Sequence, residues 1–409
     1  MKILICGAGQ VGYGIAEQLS IQKNDVTVID NYADLIENIN KSLDVRTIRG
    51  NGSYPEVLDE AGAGGADVII AVTQFDEVNM VICHIAHILF NIPTKIARIR
   101  SNNFLNPEYE NLFTTDNIPI DVLISPEREI GESILKNLAL PGAFEILEFA
   151  DKRISLLGVS IDESFDLVNQ SLGSLTKQFP EVTCTVVGIN RDAEIIVPTQ
   201  KDVIRLNDKI YLICDSEHVK RVLTILGHRE TEAHNIIIAG AGNVGSYLAK
   251  SLESSNSNIN IKIIELNKDI AQKAATELGK SIVLNGNVLD KNLLEQAGIT
   301  RSDAFVALTN NDNVNLISSV IAKEMGSKQT LTLLTDNNYN DLQSKLEIDT
   351  FINPRATTIS SILRYLRRGR IRDAHSLYNG EIEVLETEVV EASPLIGKTI
   401  KEADLPDGL

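Results

Sequence analysis

The pattern Gly-x-Gly-x-x-Gly occurs twice in this chain, at Gly7-Ala8-Gly9-Gln10-Val11-Gly12 and at Gly240-Ala241-Gly242-Asn243-Val244-Gly245. Each copy follows an apolar run, Ile3–Cys6 or Ile236–Ala239, and opens a helix-like stretch. Each has an acid at the end of the next apolar run, Asp30 or Glu265. One such loop is a weak signal, but two in strand–turn–helix context, each with its acid, point to two dinucleotide-type sheets. In such a loop the first glycine allows the tight turn, the second lets backbone amides approach a pyrophosphate, and the third lets helix pack on strand. Free N–H groups and the helix dipole then favour the phosphates. Asp30 and Glu265 are expected to accept hydrogen bonds from ribose hydroxyls. An acid there disfavours a 2′-phosphate, so NAD or an adenine nucleotide is expected over NADP.

The duplication extends well beyond the loops. Residues 5–19 align with 238–252, and Gly50-Asn51 matches Gly286-Asn287. Ala71-Val72-Thr73, Asp76 and Asn79 match Ala307-Leu308-Thr309, Asp312 and Asn315, and Ile124-Ser125-Pro126 matches Ile352-Asn353-Pro354. Strand-like runs at 26–30, 45–48, 68–72 and 95–99 alternate with helical spacing, which implies an α/β fold with a doubly wound parallel sheet in each copy. Pro126 and Pro354 each suit a first helical turn. Between the copies the texture changes to short β-rich runs at 154–159, 184–189, 194–197 and 210–214, with Asn190-Arg191-Asp192 as a hairpin turn. This predicts a small α+β module. Residues 382–405 resemble the opening of the same module, so a second, incomplete one is expected. The expected domains are therefore 1–143, 144–228, 232–378 and a partial module at 379–409.

A chain of 409 residues is too long for one ordinary core. Its net charge of −18 argues against wrapping nucleic acid and permits a basic partner, such as the cytoplasmic face of a membrane protein. The four cysteines are scattered without a CxxC pair, a reduced, cytosolic pattern with neither a disulfide frame nor a metal site. No apolar run approaches the roughly 20 residues of a bilayer span, and the N-terminus enters a strand directly, so a cytoplasmic protein without a signal peptide is expected.

Further candidate ligand residues stand at strand ends. Asn51 and Asn287 follow the third strands, either near an adenine edge or as turn formers. Thr73-Gln74 and Thr309 end the fourth strands, on the carboxyl edge where ligands bind. Asp76 and Asp312 are expected to cap the helices that follow. Arg98 and Arg100 end the fifth strand of the first copy, where alternation places both on one face. The second copy has Leu331–Thr335 there and no arginine, so the first site is the better equipped for phosphate charge. The sequence holds no GxxxxGK[ST] loop, no GxSxG and no metal-spaced cluster, and none of its six histidines stands in a catalytic constellation. That predicts a binding protein without turnover. The basic run Arg364–Arg372 suits a helix end or a salt-bridge role.

GAGQVG with Asp30, AVTQFDEVNM (71–80), IARIR (96–100), and GAGNVG with Glu265 resemble the TrkA family, cytosolic regulatory subunits of Trk potassium-uptake systems. The order RCK-N, RCK-C, RCK-N, RCK-C is that family's arrangement, and the resemblance covers essentially the whole chain. It implies Rossmann-like units binding NAD(H) and ATP/ADP. It also implies a gating ring, expected as a homotetramer, docked on the membrane-embedded Trk channel subunit at the cytoplasmic face. The positions that match family ligand contacts are Gly7–Val11, Asp30, Thr73-Gln74, Arg98, Gly240–Val244, Glu265 and Thr309. Alternative readings are a soluble NAD-dependent oxidoreductase and a nucleotide sensor for another transporter.

Overall fold

The structure is a computed structural model. It describes residues 1–101, 103–192, 194–228, 232–255, 258–335, 346–366, 371–377, 382–389, 393–399 and 402–403.

In the first copy β1 (Lys2–Cys6), α1 (Gln10–Ile21), β2 (Asp25–Asp30), α2 (Ala33–Ser42), β3 (Arg46–Arg49), α3 (Pro55–Glu60), β4 (Val68–Ala71), α4 (Asp76–Ile88), β5 (Thr94–Arg98) and β6 (Val122–Ile124) follow one another, and α5 (Pro126–Ala139) comes next. The strands form a parallel sheet in the order β3-β2-β1-β4-β5-β6. This is the doubly wound order, with its switch point between β1 and β4, where the glycine loop lies. The central strands are apolar without alternation because helices cover both faces; every residue of Val-Ile-Ile-Ala in β4 is buried. Pro126 starts α5, as its fixed φ allows.

The small module comprises β7 (Ala143–Phe149), β8 (Ile154–Ser160), α6 (Leu172–Gln178), β9 (Cys184–Arg191), β10 (Glu194–Ile196), β11 (Lys209–Asp215) and α7 (Val219–Ile225). Its five antiparallel strands run in the order β10-β9-β11-β8-β7. The hairpin turn falls later than the sequence suggests. Asn190 and Arg191 belong to β9, and the left-handed residue is Asp192, with φ 53°. Arg191 is held in the strand by a two-pronged bond to the buried carboxylate of Asp208 at 2.8 and 2.7 Å.

The second copy repeats the first: β12 (Asn235–Ala239), α8 (Asn243–Ser255), β13 (Asn260–Glu265), α9 (Lys268–Glu277), β14 (Ile282–Asn285), α10 (Lys291–Ala297), β15 (Ala304–Ala307), α11 (Asp312–Glu324), β16 (Gln329–Leu333), β17 (Thr350–Ile352) and α12 (Pro354–Leu366). Its parallel sheet has the same order, β14-β13-β12-β15-β16-β17. Beyond it, β18 (Ile371–Leu377) and β19 (Ile382–Thr387) form a two-stranded sheet. The side chains of all five arginines of the basic run lie outside the described residues.

The compact units cut across the repeat. One contains residues 1–130 together with 353–369 and 374–384, and the other contains 131–352 with 370–373 and 385–409. Within the first unit α12 lies on α1. Ile362, Leu363 and Leu366 share a core with Ile15, Ala16, Leu19, Val122 and Ile124, and the Arg355 guanidinium lies 5.9 Å from the centre of the Tyr13 ring. The approach is close, since a Cβ on Gly14 would stand 2.3 Å from Ile359. Within the second unit Gly131 of α5 meets the Tyr247 ring of α8 in the same manner, at 2.4 Å for an added Cβ.

Candidate nucleotide sites at the two glycine loops

The three glycines of each loop have separate physical reasons. Gly7 and Gly240 have φ of +114° and +103°, in the region that favours glycine, and a Cβ on either would press on backbone of the fourth-strand end. A Cβ on Gly12 or Gly245 would come within 1.8 or 2.1 Å of the carbonyl oxygen of Gly7 or Gly240, so the helix can begin there only without a side chain. Gly9 and Gly242 differ. A Cβ on either would meet nothing within 4 Å, and Gly9 has an ordinary φ of −64°. The fold leaves a side chain room at these two positions. An open backbone cradle at a helix start fits a pyrophosphate.

The acids hold the loops in register. Asp30 accepts the Ala8 amide at 2.6 Å through Oδ2 and the Tyr32 amide at 2.9 Å through Oδ1. Glu265 does the same with Ala241 at 2.7 Å and Asn267 at 2.8 Å. Each carboxylate oxygen keeps a further lone pair, so the role expected with ribose hydroxyls remains open to both.

Thr73 and Thr309 are organised by a residue pair that the sequence aligned but did not assign to the sites, Asn79 and Asn315. Both are fully buried. Asn79 Oδ1 accepts from the Thr73 amide at 2.9 Å and hydroxyl at 2.7 Å, while its Nδ2 donates to the Arg98 carbonyl at 2.8 Å. Asn315 repeats this with Thr309 (2.9 and 2.6 Å) and the Leu333 carbonyl (2.9 Å). An amide at matching positions of the helix after the fourth strand in both copies was the signal. The same bonds identify Leu333 as the counterpart of Arg98, so the second edge lacks the arginine as expected from its sequence.

Arg98 donates to the Thr73 carbonyl at 2.7 Å, and its Nε is buried without a hydrogen-bond partner. Burial, and then the charge of Arg100, pull its guanidinium below the usual range, against Glu127 and Asp76. Arg100 is committed to a partner of its own: its Nε donates to the buried carboxylate of Glu127 at 3.0 Å. Asp76 and Asp312 do not cap their own helices. Asp76 accepts the amides of Arg100 and Ser101, and Asp312 accepts the Thr335 amide and hydroxyl, so each ties down the backbone after the fifth strand. Those amides have lost their sheet partners, and a carboxylate one helix away satisfies them. Asn51 and Asn287 close turns onto Ser53 and Leu289, the local role. Gln10, Gln74 and Asn243 are exposed at the edges, Val11 and Val244 half-buried.

Elsewhere, a cavity of about 280 Å³ opens in the small module, lined by Leu172, Leu175, Phe179, Val186 and Ile225. The four cysteines are free, and among the described residues no group of three or more His, Cys, Asp or Glu side chains could hold a metal ion. Among the described residues no helix is long and apolar enough to cross a membrane.

The sequence model of the TrkA-N domain matches residues 3–126 and again 236–354, and that of the TrkA-C domain matches 156–227. The chain belongs to the TrkA family. It is similar over 100% of its length to the Trk system potassium uptake protein TrkA of Azorhizobium caulinodans, 44% identical over 409 residues that make up 89% of that protein. The protein of the same name from Halomonas elongata is 41% identical, with the same coverage. Among solved structures, the GsuK channel bound to NAD aligns with a TM-score of 0.62 at 16% identity, over 89% of this chain and 63% of that one. At that identity the likeness is one of fold.

Proposed function

We propose that this TrkA-family chain is the nucleotide-sensing subunit of a potassium-uptake system, binding NAD(H) and ATP/ADP at its two glycine loops and gating a membrane-embedded Trk channel subunit from the cytoplasmic side. The observation that carries the reading is the pair Gly9 and Gly242. Their cradles have room for a side chain yet hold none, in sheets whose strand-end acids and glycine turns are otherwise complete. Whole-length similarity to Trk system potassium uptake proteins supports the transport role, and the NAD-bound channel of like fold supports the ligand class.

Within this reading the two edges divide the work. Arg98 brings a half-buried cation to the first, so charge-rich phosphates favour it, while Leu333 at the second leaves only the loop amides and helix start. Ligand at such an edge changes function only if it binds two conformations unequally. Among the described residues none beside either loop is arranged as an acid–base pair for turnover, which favours binding over an oxidoreductase role. The test is potassium flux in vesicles holding the full chain and its channel subunit, with ATP, ADP or NADH added. Arg98→Ala should weaken the ATP response by about tenfold or more in concentration, the range for a hydrogen bond to a charged group. An unaltered ATP response would overturn the assignment.

A further inference from the structure

The two copies differ systematically at the residues that begin the helices on the ligand edge. In the first copy α2, α3 and α4 are preceded by Tyr32, Tyr54 and Phe75, and none of these side chains caps its helix. In the second copy the matching positions before α9, α10 and α11 are Asn267, Asp290 and Asn311, and each side chain accepts a helix amide. Asn and Asp lead the preference at such a position, and aromatic residues have no means of filling the role. The first copy thus gives up three caps on one edge. The rings themselves are 60%, 60% and 62% exposed. A position that forgoes a cap and also leaves a ring in water is disfavoured twice in the free chain, and here that happens after β2, β3 and β4, on both sides of β1 and its glycine loop. The second edge exposes Leu266, which offers area but no ring face.

We propose that Tyr32, Tyr54 and Phe75 form an aromatic rim that makes the first site selective for ligands carrying a planar base beyond their phosphates, with the ring faces stacking on that base. This rests on the nucleotide-binding reading above and adds to it that base recognition, like phosphate charge, is concentrated in the first copy. Stacking tolerates any planar base, so the rim selects bases as a class over base-free phosphates rather than one nucleotide over another.

The experiment replaces the rim by the second copy's own residues, Tyr32→Asn, Tyr54→Asp and Phe75→Asn together, in the full chain. The background carries Gly242→Leu, which fills the second cradle, so the first site alone is read. Calorimetric titrations use NADH, ATP and inorganic tripolyphosphate. The expected result is at least a fivefold loss of affinity for NADH and ATP, the weak end of base–aromatic stacking, with tripolyphosphate unchanged. The melting temperature should rise in the same variant, because three caps are gained. Opposite movement of stability and affinity is what a purely structural role does not produce. Unchanged NADH and ATP affinities would overturn the rim. So would equal losses for nucleotides and tripolyphosphate, which would mean that the loop and not the base is felt. Absence of any nucleotide binding by the unmodified rim in this background would instead overturn the nucleotide reading itself, and the rim with it.

Discussion

Substituting alanine at each glycine of the first loop in turn separates what the fold requires from what the ligand requires. Gly12→Ala puts a Cβ 1.8 Å from the Gly7 carbonyl oxygen, a backbone atom that cannot rotate away. Relief requires moving α1 off β1, so the cost is at or above the roughly 3 kcal/mol upper end for overpacking. Gly7→Ala meets the Val72 carbonyl at 2.9 Å at a φ of +114°, and strain of about 1–3 kcal/mol is expected. Gly9→Ala meets nothing. Its φ of −64° suits alanine, which stabilises by about 0.4–1 kcal/mol through the unfolded chain. Against this, Gly9 precedes α1, where alanine is poorer than glycine by something under about 1 kcal/mol. The two terms cancel to within roughly 1 kcal/mol, so Gly9→Ala should unfold in urea near the wild-type midpoint. Its methyl group would nevertheless occupy the cradle, and NADH affinity at the first site should fall at least about tenfold. Urea unfolding followed by circular dichroism, with calorimetric titration of the folded variants, reads both quantities. If Gly9→Ala loses as much stability as Gly12→Ala, or binds NADH as tightly as wild type, the cradle reasoning is wrong.

Two further outcomes follow from buried groups. Asn79→Ala leaves the Thr73 amide and the Arg98 carbonyl without partners in the interior, and Asn315→Ala does the same in the second copy. Each should cost roughly 2–4 kcal/mol, two orphaned groups at about 1–3 each with partial relief, and a loss below about 1 kcal/mol in urea unfolding would refute the network. Glu145 has its carboxyl pushed up to about 7, chiefly by burial and against the pull of Lys136. The folded value lies above the ordinary one, so this stabilisation is full below about pH 4.5 and is lost as pH rises through 7. The shift caps the effect at roughly 3 kcal/mol, and the residue's partial exposure keeps it lower. Glu145→Gln should flatten stability between pH 5 and pH 8, and an unchanged slope would count against it.

The parallel sheets and the glycine loops were legible because the physics that sets them is local and was written twice. Apolar runs buried on both faces, a glycine at each close approach and an acid at the next strand end need no knowledge of distant residues. Residues whose partners lie far along the chain were not legible. Asp76 looks like a helix cap by position, and only the strand-end amides of Arg100 and Ser101 explain its real bond. Arg100 looks like a companion of Arg98 by alternation, but the chain leaves β5 there and Glu127 captures the side chain. Tyr32, Tyr54 and Phe75 read as ordinary aromatic residues until the second copy shows what a capped helix start looks like at each position.

The place of α12 bears on how the chain reaches its final form. The core beneath α1 contains Ile362, Leu363 and Leu366, which follow the whole of the second sheet in the sequence. Synthesis proceeds from the N-terminus, so the first half waits, with one apolar flank uncovered, while more than two hundred further residues are added. During that interval the exposed flank is a site for chaperones or for a neighbouring nascent chain. A second copy's α12 carries the same apolar residues, so exchange between nascent chains during that interval is a hazard of this arrangement.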